Sequence, residues 1–233
     1  MNKLLASSLS KTYYSAGHKL EVLKNINITL AQGKTIGVIG SSGSGKTTLL
    51  QILAGLEFSD KGEIFYNDID LLANGAQTFN SMRSQLFGFA YQFHYLLDDL
   101  TVYENCNLVF RIANNKNKLK NSEKIMTILR DLGIDQLKDS YPFMLSGGER
   151  QRAAIARAIV HEPMFVLMDE PTGNLDQDNA EVIQDLTIKL AKKKYIFYEV
   201  PISYEGRSYE EGKKIRLRDA FVAIFCIFKY GIF

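Results

Sequence analysis

The 233 residues carry 28 basic and 26 acidic side chains, a formal net charge of +2, so no long-range field singles out nucleic acid or an anionic membrane as a partner. Hydrophobic residues make up 46%, ample for one sizeable core. No apolar run approaches the ~18 residues of a membrane-spanning helix, the longest being Ala220 to Phe228. The two cysteines, Cys106 and Cys226, are far apart without metal-ligand spacing, and no signal-peptide pattern opens the chain, which predicts a reducing, cytosolic setting.

From Asn25 to Leu30 the residues alternate, Ile26, Ile28 and Leu30 against Asn25, Asn27 and Thr29, as in a half-buried antiparallel edge strand. Thr35 to Ile39 is instead continuously apolar and ends at Gly40, which suits a strand covered on both faces, with a helix starting near Lys46. Residues from about 101 to 160 lack a strong strand signal, and Glu123 to Leu132 sets Ile125, Ile128, Leu129 and Leu132 on one helical face. A further helix runs from Gln151 to Ile159. Met164 to Met168 is a second buried-type strand, and Glu181 to Leu190 returns to helical spacing. The pattern predicts an α/β protein: a core with an antiparallel β edge and an inserted helical subdomain, about 93–160.

Two motifs carry chemistry. Gly40, Ser41, Ser42, Gly43, Ser44, Gly45, Lys46, Thr47 and Thr48 contain G-x-x-x-x-G-K-[ST] between a buried strand and a helix. The glycines let backbone N–H groups turn inward around phosphate, the helix N-terminus adds its dipole, Lys46 reaches the β/γ-phosphates, and Thr47 is placed for Mg²⁺. Asp169 and Glu170 end the second buried strand, where open α/β sheets bind ligands. An Asp-Glu pair after a strand is by itself an ordinary solvated turn. Beside a phosphate loop it predicts Asp169 in the shell of Mg²⁺ and Glu170 orienting or deprotonating an attacking water.

Leu145, Ser146, Gly147, Gly148, Glu149, Arg150 and Gln151 match the signature of ABC transporter ATPases, and the chain resembles that family from about Leu5 to about Lys193. The same residues also read as a serine N-cap with Glu149 completing a capping box, and both can hold at once. The resemblance implies an ATPase with a P-loop NTPase core that uses ATP and Mg²⁺ and forms an ATP-dependent homodimer, with Ser146, Gly147 and Gly148 gripping the γ-phosphate of ATP bound by the other protomer. It further implies Tyr13 as the aromatic stacked on adenine, Gln92 as a catalytic residue and metal ligand, and Asp176, after Gly173, Asn174 and Leu175, in the dimer site. Lys46 and Glu170 complete the catalytic set. The stretch Tyr91, Gln92, Phe93, His94, Tyr95, Leu96, Leu97, followed by Leu100, Thr101, Val102 and Glu104, resembles lipoprotein-releasing ATPases, with macrolide-exporter and cell-division relatives sharing much of the pattern. That implies integral-membrane transporter subunits as partners, a peripheral location on the cytoplasmic face of the inner membrane, His94 facing those subunits, and no nucleic acid.

The resemblance then breaks. The family places a histidine one helix and one strand beyond the catalytic glutamate, whereas His18, His94 and His161 all precede Glu170 and the equivalent stretch reads Val200, Pro201, Ile202, Ser203, Tyr204. From about Tyr195, the residues Tyr198 to Ile202 and Gly206 to Lys214 resemble the end of polyprenyl-phosphate-type family 2 glycosyltransferases. This implies an ATPase domain over 1–194 and an atypical tail over 195–233 that packs poorly on it apart from a candidate strand near Ile196 to Val200. It also raises an alternative activity, an ATP-binding, dimerising module with impaired hydrolysis.

Overall fold

The computed structural model describes residues 2–15, 18–31, 34–41, 43–73, 75–112, 118–172, 175–177, 179–183 and 196–201. Two long strands open the chain, β1 (Lys3–Ser15) and β2 (His18–Ala31), paired antiparallel from Lys3↔Ala31 to Ser15↔His18. β1 is flanked on its other side by β4 (Lys61–Tyr66), which pairs with the short β5 (Ile69–Asp70), so the sheet order is β2-β1-β4-β5. β2 therefore lies at an edge. It buries Ile28 and partly covers Ile26 and Leu30, while Asn25, Asn27 and Thr29 face solvent.

Two further sheets among the described residues are two-stranded and parallel. β3 (Lys34–Ile39) pairs with β8 (Ile196–Pro201), with Lys34 opposite Ile196 and Ile39 opposite Pro201. β6 (Phe87–Ala90) pairs in parallel with β7 (Phe165–Met168), ending at Ala90↔Met168. Helices α1 (Lys46–Leu53) and α2 (Gly75–Leu86) supply Leu49, Ile52, Leu53 and Phe79 to the core that also holds Leu4, Leu23 and Ile64. Each fully buried aliphatic side chain of this kind contributes about 1.5–3 kcal/mol of transfer free energy.

A second core belongs to the helical lobe: α3 (Val102–Ile112), α4 (Lys118–Asp131), 3₁₀ turns at Asp135–Leu137 and Pro142–Met144, and α5 (Gly147–Ile159). α4 faces inward with Ile125 and Leu129, and Cys106 of α3 is buried beside them, its thiol pushed up to about 12 by burial. Thr101 and Glu104 cap α3 reciprocally: the Glu104 amide donates to Thr101 Oγ1 at 3.2 Å, and the Thr101 amide donates to Glu104 Oε2 at 2.9 Å. The buried Asn105 amide donates to the carbonyls of Leu97, Leu100 and Thr101 and accepts from the Leu97 amide, fixing the approach to α3.

The lobe is joined to the sheet by close approach. α5 presents the small residues Ala153, Ala154, Ala156 and Ala158, all buried, and β6 presents Gly88, where a Cβ would overlap the Ala158 carbonyl oxygen. The helix expected over Glu181–Leu190 is visible as helical residues 179–183, with Ile183 fully buried; residues 184–190 lie outside the described residues. Of the expected tail, residues 196–201 form β8, while residue 195 and residues 202–233 lie outside the described residues. No helix among the described residues is long and apolar enough to cross a membrane.

Candidate functional site

Strand ends build the site. Because β6 and β7 run parallel and in register, Tyr91 and Gln92 leave one strand beside the point where Asp169 and Glu170 leave the other, and the Asp169 amide donates to the Ala90 carbonyl at 3.0 Å. β3 delivers Gly40 from a third strand end, and the chain turns through Gly43 (φ 80°) and Gly45 (φ 95°) into α1. Both glycines occupy the left-handed region that other residues reach only with strain. Gly45 is also pressed by β2: a Cβ there would meet Val22 Cγ1 at 2.8 Å.

Lys46 Nζ donates to the carbonyls of Gly40 (3.0 Å) and Ser41 (3.1 Å) and lies 3.4 Å from Glu170 Oε1. Thr47 Oγ1 donates to Asp169 Oδ2 at 2.7 Å, bridging 122 positions of sequence. Glu170 adopts φ 44°, a strained backbone of the kind that gathers at functional sites. Ser44 is buried, its hydroxyl without a hydrogen-bond partner among the described residues, and it fills the space above Gly40. Thr47, Gln92 and Asp169, with Gln51, Tyr91, Phe93 and Tyr95, line a cavity of about 420 Å³. Ser42 lies outside the described residues; Thr48 is partly buried in the first turn of α1.

At the other lobe, Ser146 N-caps α5. Glu149 N–H donates to Ser146 Oγ at 3.3 Å, while the Ser146 amide and hydroxyl donate to Glu149 Oε2, each at 2.8 Å. Those bonds, the amide's foremost, hold the Glu149 carboxyl below its ordinary range. Gly147 and Gly148 form the first turn, and a Cβ at Gly148 would overlap the Asn179 carboxamide. Asp176 accepts from the Asn179 amide (2.9 Å) and side chain (2.9 and 3.1 Å), a helix-capping arrangement; Gly173 and Asn174 lie outside the described residues.

Arg157 on α5 ties this helix to the segment after Gln92. Its guanidinium donates to the carbonyls of Tyr95 (2.5 Å) and His94 (2.7 Å). Both acceptor residues have positive φ, 59° for His94 and 47° for Tyr95, so the arginine steadies two consecutive left-handed residues. Burial, and next the Arg150 cation, push the His94 imidazole below its ordinary pKa. Tyr13, in the hairpin opposite Leu20, keeps 36% of its surface exposed.

A glycine turn into a helix, a lysine inside it, and a threonine–aspartate contact at parallel strand ends define a P-loop nucleotide-binding protein of α/β type. Residues 23–173 match the family model of ABC transporters, and the chain belongs to that family, among its ATPases. It is 42% identical over 190 residues (82% of this chain, 84% of the relative) to the lipoprotein-releasing system ATP-binding protein LolD of Treponema denticola. Against the protein of the same description from Saccharophagus degradans it is 45% identical over 181 residues (78% and 79%). The dimeric structure of MJ0796, a bacterial ABC transporter cassette, superposes with a TM-score of 0.75 at 28% identity, covering 84% of this chain and 87% of that one. The same cassette in a dimeric post-hydrolysis state bound to ADP and Pi gives the same score.

Proposed function

We propose that this chain is the ATP-binding and ATP-hydrolysing subunit of a lipoprotein-releasing ABC transporter. In this reading it works as an ATP-dependent homodimer on the cytoplasmic face of the inner membrane, against integral-membrane subunits. The observation that carries it is the Thr47–Asp169 contact at 2.7 Å beside Lys46 and Glu170: two oxygen ligands, a phosphate-seeking cation and a carboxylate at one strand edge. The orphaned Ser44 hydroxyl and the glycine turn fit phosphate, and the oxygen-only donor set of Thr47, Asp169 and Gln92 fits Mg²⁺, which keeps few protein ligands. When bound, Mg²⁺ would neutralise charge on the β/γ-phosphates.

The chain's own groups then divide the work. Lys46 exchanges its loop carbonyls for phosphate oxygens, and the amides of Ser41 to Thr48 surround the phosphates. Tyr13 stacks on adenine. Glu170 orients the attacking water and accepts its proton, aided by Gln92. Ser146, Gly147 and Gly148 present a helix end to the γ-phosphate held by the partner protomer, with Asp176 alongside, and His94 faces the membrane subunits. The 42% and 45% identity to proteins described as lipoprotein-releasing supports the cargo.

A second reading has its own observation. β8 ends opposite Ile39 at Pro201, directly beside the entry to the phosphate loop, with no histidine at that strand end. The family's histidine contact to the γ-phosphate is then missing, which leaves binding strong and turnover slow, since one transition-state contact is worth ~10²–10³ in rate. The ATPase domain is assigned to 1–194, with β8 (Ile196–Pro201) added to its sheet through β3. The residues after that strand, with their likeness to a glycosyltransferase end, are unrelated sequence and carry no glycosyl transfer. The test is Mg·ATP turnover by the full chain, by Glu170→Gln and by Ser203→His. ATPase activity lost in Glu170→Gln with ATP binding retained supports the main reading. A large gain in Ser203→His supports the second. Turnover in Glu170→Gln equal to that of the unaltered chain would sink the assignment of the base.

A further inference from the structure

The segment that carries Tyr13 is poorly fixed by the sheet. β1 loses its β4 neighbour after Ser10↔Lys61, so residues 11–15 are paired on one side only. The ladder to β2 is itself broken there: Lys11 faces Leu23 and Thr12 faces Glu21, which leaves Val22 as an extra residue opposite that step. The bulge lies on β2, bends that strand and interrupts the ladder just before Tyr13, and Val22 is the residue pressed against Gly45 of the phosphate loop. Backbone pairing alone therefore does not set where the Tyr13 ring sits.

A separate clamp does. Lys11 Nζ donates to Glu57 Oε1 at 2.8 Å and to the Phe58 carbonyl at 2.6 Å, lies 3.7 Å from Asp60 Oδ1, and stands 5.3 Å from the centroid of the Tyr13 ring. Its side chain is only 12% exposed. Asp60 closes the clamp on the backbone, accepting from the Thr12 amide at 2.7 Å, while its own amide donates to the Ser10 carbonyl at 2.9 Å. Lys11 and Tyr13 share a strand face by the period of two, so a cation fixed by two partners covers one side of the ring. A cation on one face of an aromatic ring attracts its π density, which leaves the opposite face poorer in electrons and a better platform for an electron-rich purine.

We propose that Lys11, anchored by Glu57 and Asp60, is a positioning residue for the nucleotide base. It locks the Tyr13 ring over the bulged strand and polarises it, and so sets the share of nucleotide affinity that comes from the base. The inference rests on the reading of Tyr13 as the adenine platform. Nothing in it touches Lys46, Thr47 or Asp169, the residues read as holding the phosphates and Mg²⁺.

The experiment titrates the full chain with Mg·ATP and, separately, with Mg·tripolyphosphate, which has the phosphates and no base. Lys11→Met keeps the apolar stem and removes the charge; it is expected to weaken Mg·ATP about two- to fivefold and to leave Mg·tripolyphosphate unchanged. Lys11→Arg restores the ATP affinity, and Glu57→Gln, which slackens the anchor, falls between. A clamp that is merely structural would weaken both ligands alike, and that result overturns the proposal. So does unchanged ATP affinity in Lys11→Met while Tyr13→Ala weakens ATP and spares tripolyphosphate. If Tyr13→Ala itself leaves ATP affinity unaltered, the platform reading fails first and takes the proposal with it.

Discussion

The two helix N-termini that the proposed function assigns to nucleotide are finished in opposite ways. α1 begins at Gly45, left-handed and without any side-chain cap, so the amides of its first turn are left for a ligand. α5 begins at Ser146 with both halves of a capping box in place, and Glu149 sets a carboxylate at its mouth. The open end is costly without phosphate and is held by its surroundings: Val22 and Leu23 against Gly45, and Lys46 on its own loop carbonyls. The closed end is stable alone, and an anion arriving there meets a carboxylate that already accepts two hydrogen bonds. The first is built to bind, the second to wait.

The largest expected effect breaks the support of the closed end. Gly88→Ala puts a methyl group into the Ala158 carbonyl and forces α5 off β6; overpacking against backbone is expected to cost about 3 kcal/mol or more, read as a lowered denaturation midpoint. A normal midpoint would mean that α5 is held by its capped end and not by its flank. Next, Lys46→Ala strips the open end of its cation and is expected to weaken Mg·ATP roughly tenfold to a hundredfold, the worth of one charged hydrogen bond of ~1.5–3 kcal/mol, with the fold's stability nearly unaltered. Equal nucleotide affinity in that variant would remove α1 as the phosphate site.

The smallest effect sharpens the contrast. Ser146→Ala deletes the cap and is expected to cost about 1 kcal/mol of stability without changing nucleotide binding by the monomer. The same box carries a pH signature. The folded-state pKa of Glu149 is lowered, so its contribution is complete above the ordinary glutamate value of 4.5 and is lost as pH falls through the lower folded value. Stability of the unaltered chain should therefore fall more steeply below that value than stability of Ser146→Ala, as thermal melts at stepped pH would measure.

Legibility in the sequence followed chemistry. The glycine turn into α1, the Asp169–Glu170 pair at the end of β7 and the Ser146–Gln151 segment that opens α5 stood out because each sets particular residue types at particular spacings, and the structure places them at strand ends and helix starts. The edge strand at Asn25–Leu30 and the helix around Ile125 and Leu129 were readable from period. β6 was not: its four residues set Phe87 and Phe89 against Gly88 and Ala90, too short and too mixed in propensity to signal a strand, and the strand exists through pairing with β7 and the close approach of α5. α2, opening on Gly75 with no acidic residue in its first turn, gives no start signal either. The Arg157 clamp escaped because its partners are backbone carbonyls, which any sequence supplies. Asp176 was placed by order along the chain, yet its carboxylate also proves to cap the following helix through Asn179.

The buried thiol of Cys106 has a consequence for how opening of the helical lobe can be watched. A thiol whose pKa lies near 12 carries only about one part in 10⁵ thiolate at neutral pH, and the thiolate is the species that alkylating reagents attack. While α3 stays packed against α5, this side chain is chemically silent. Its rate of modification by a small alkylating reagent then counts how often the lobe comes apart, and saturating nucleotide, by favouring the closed form, slows that clock.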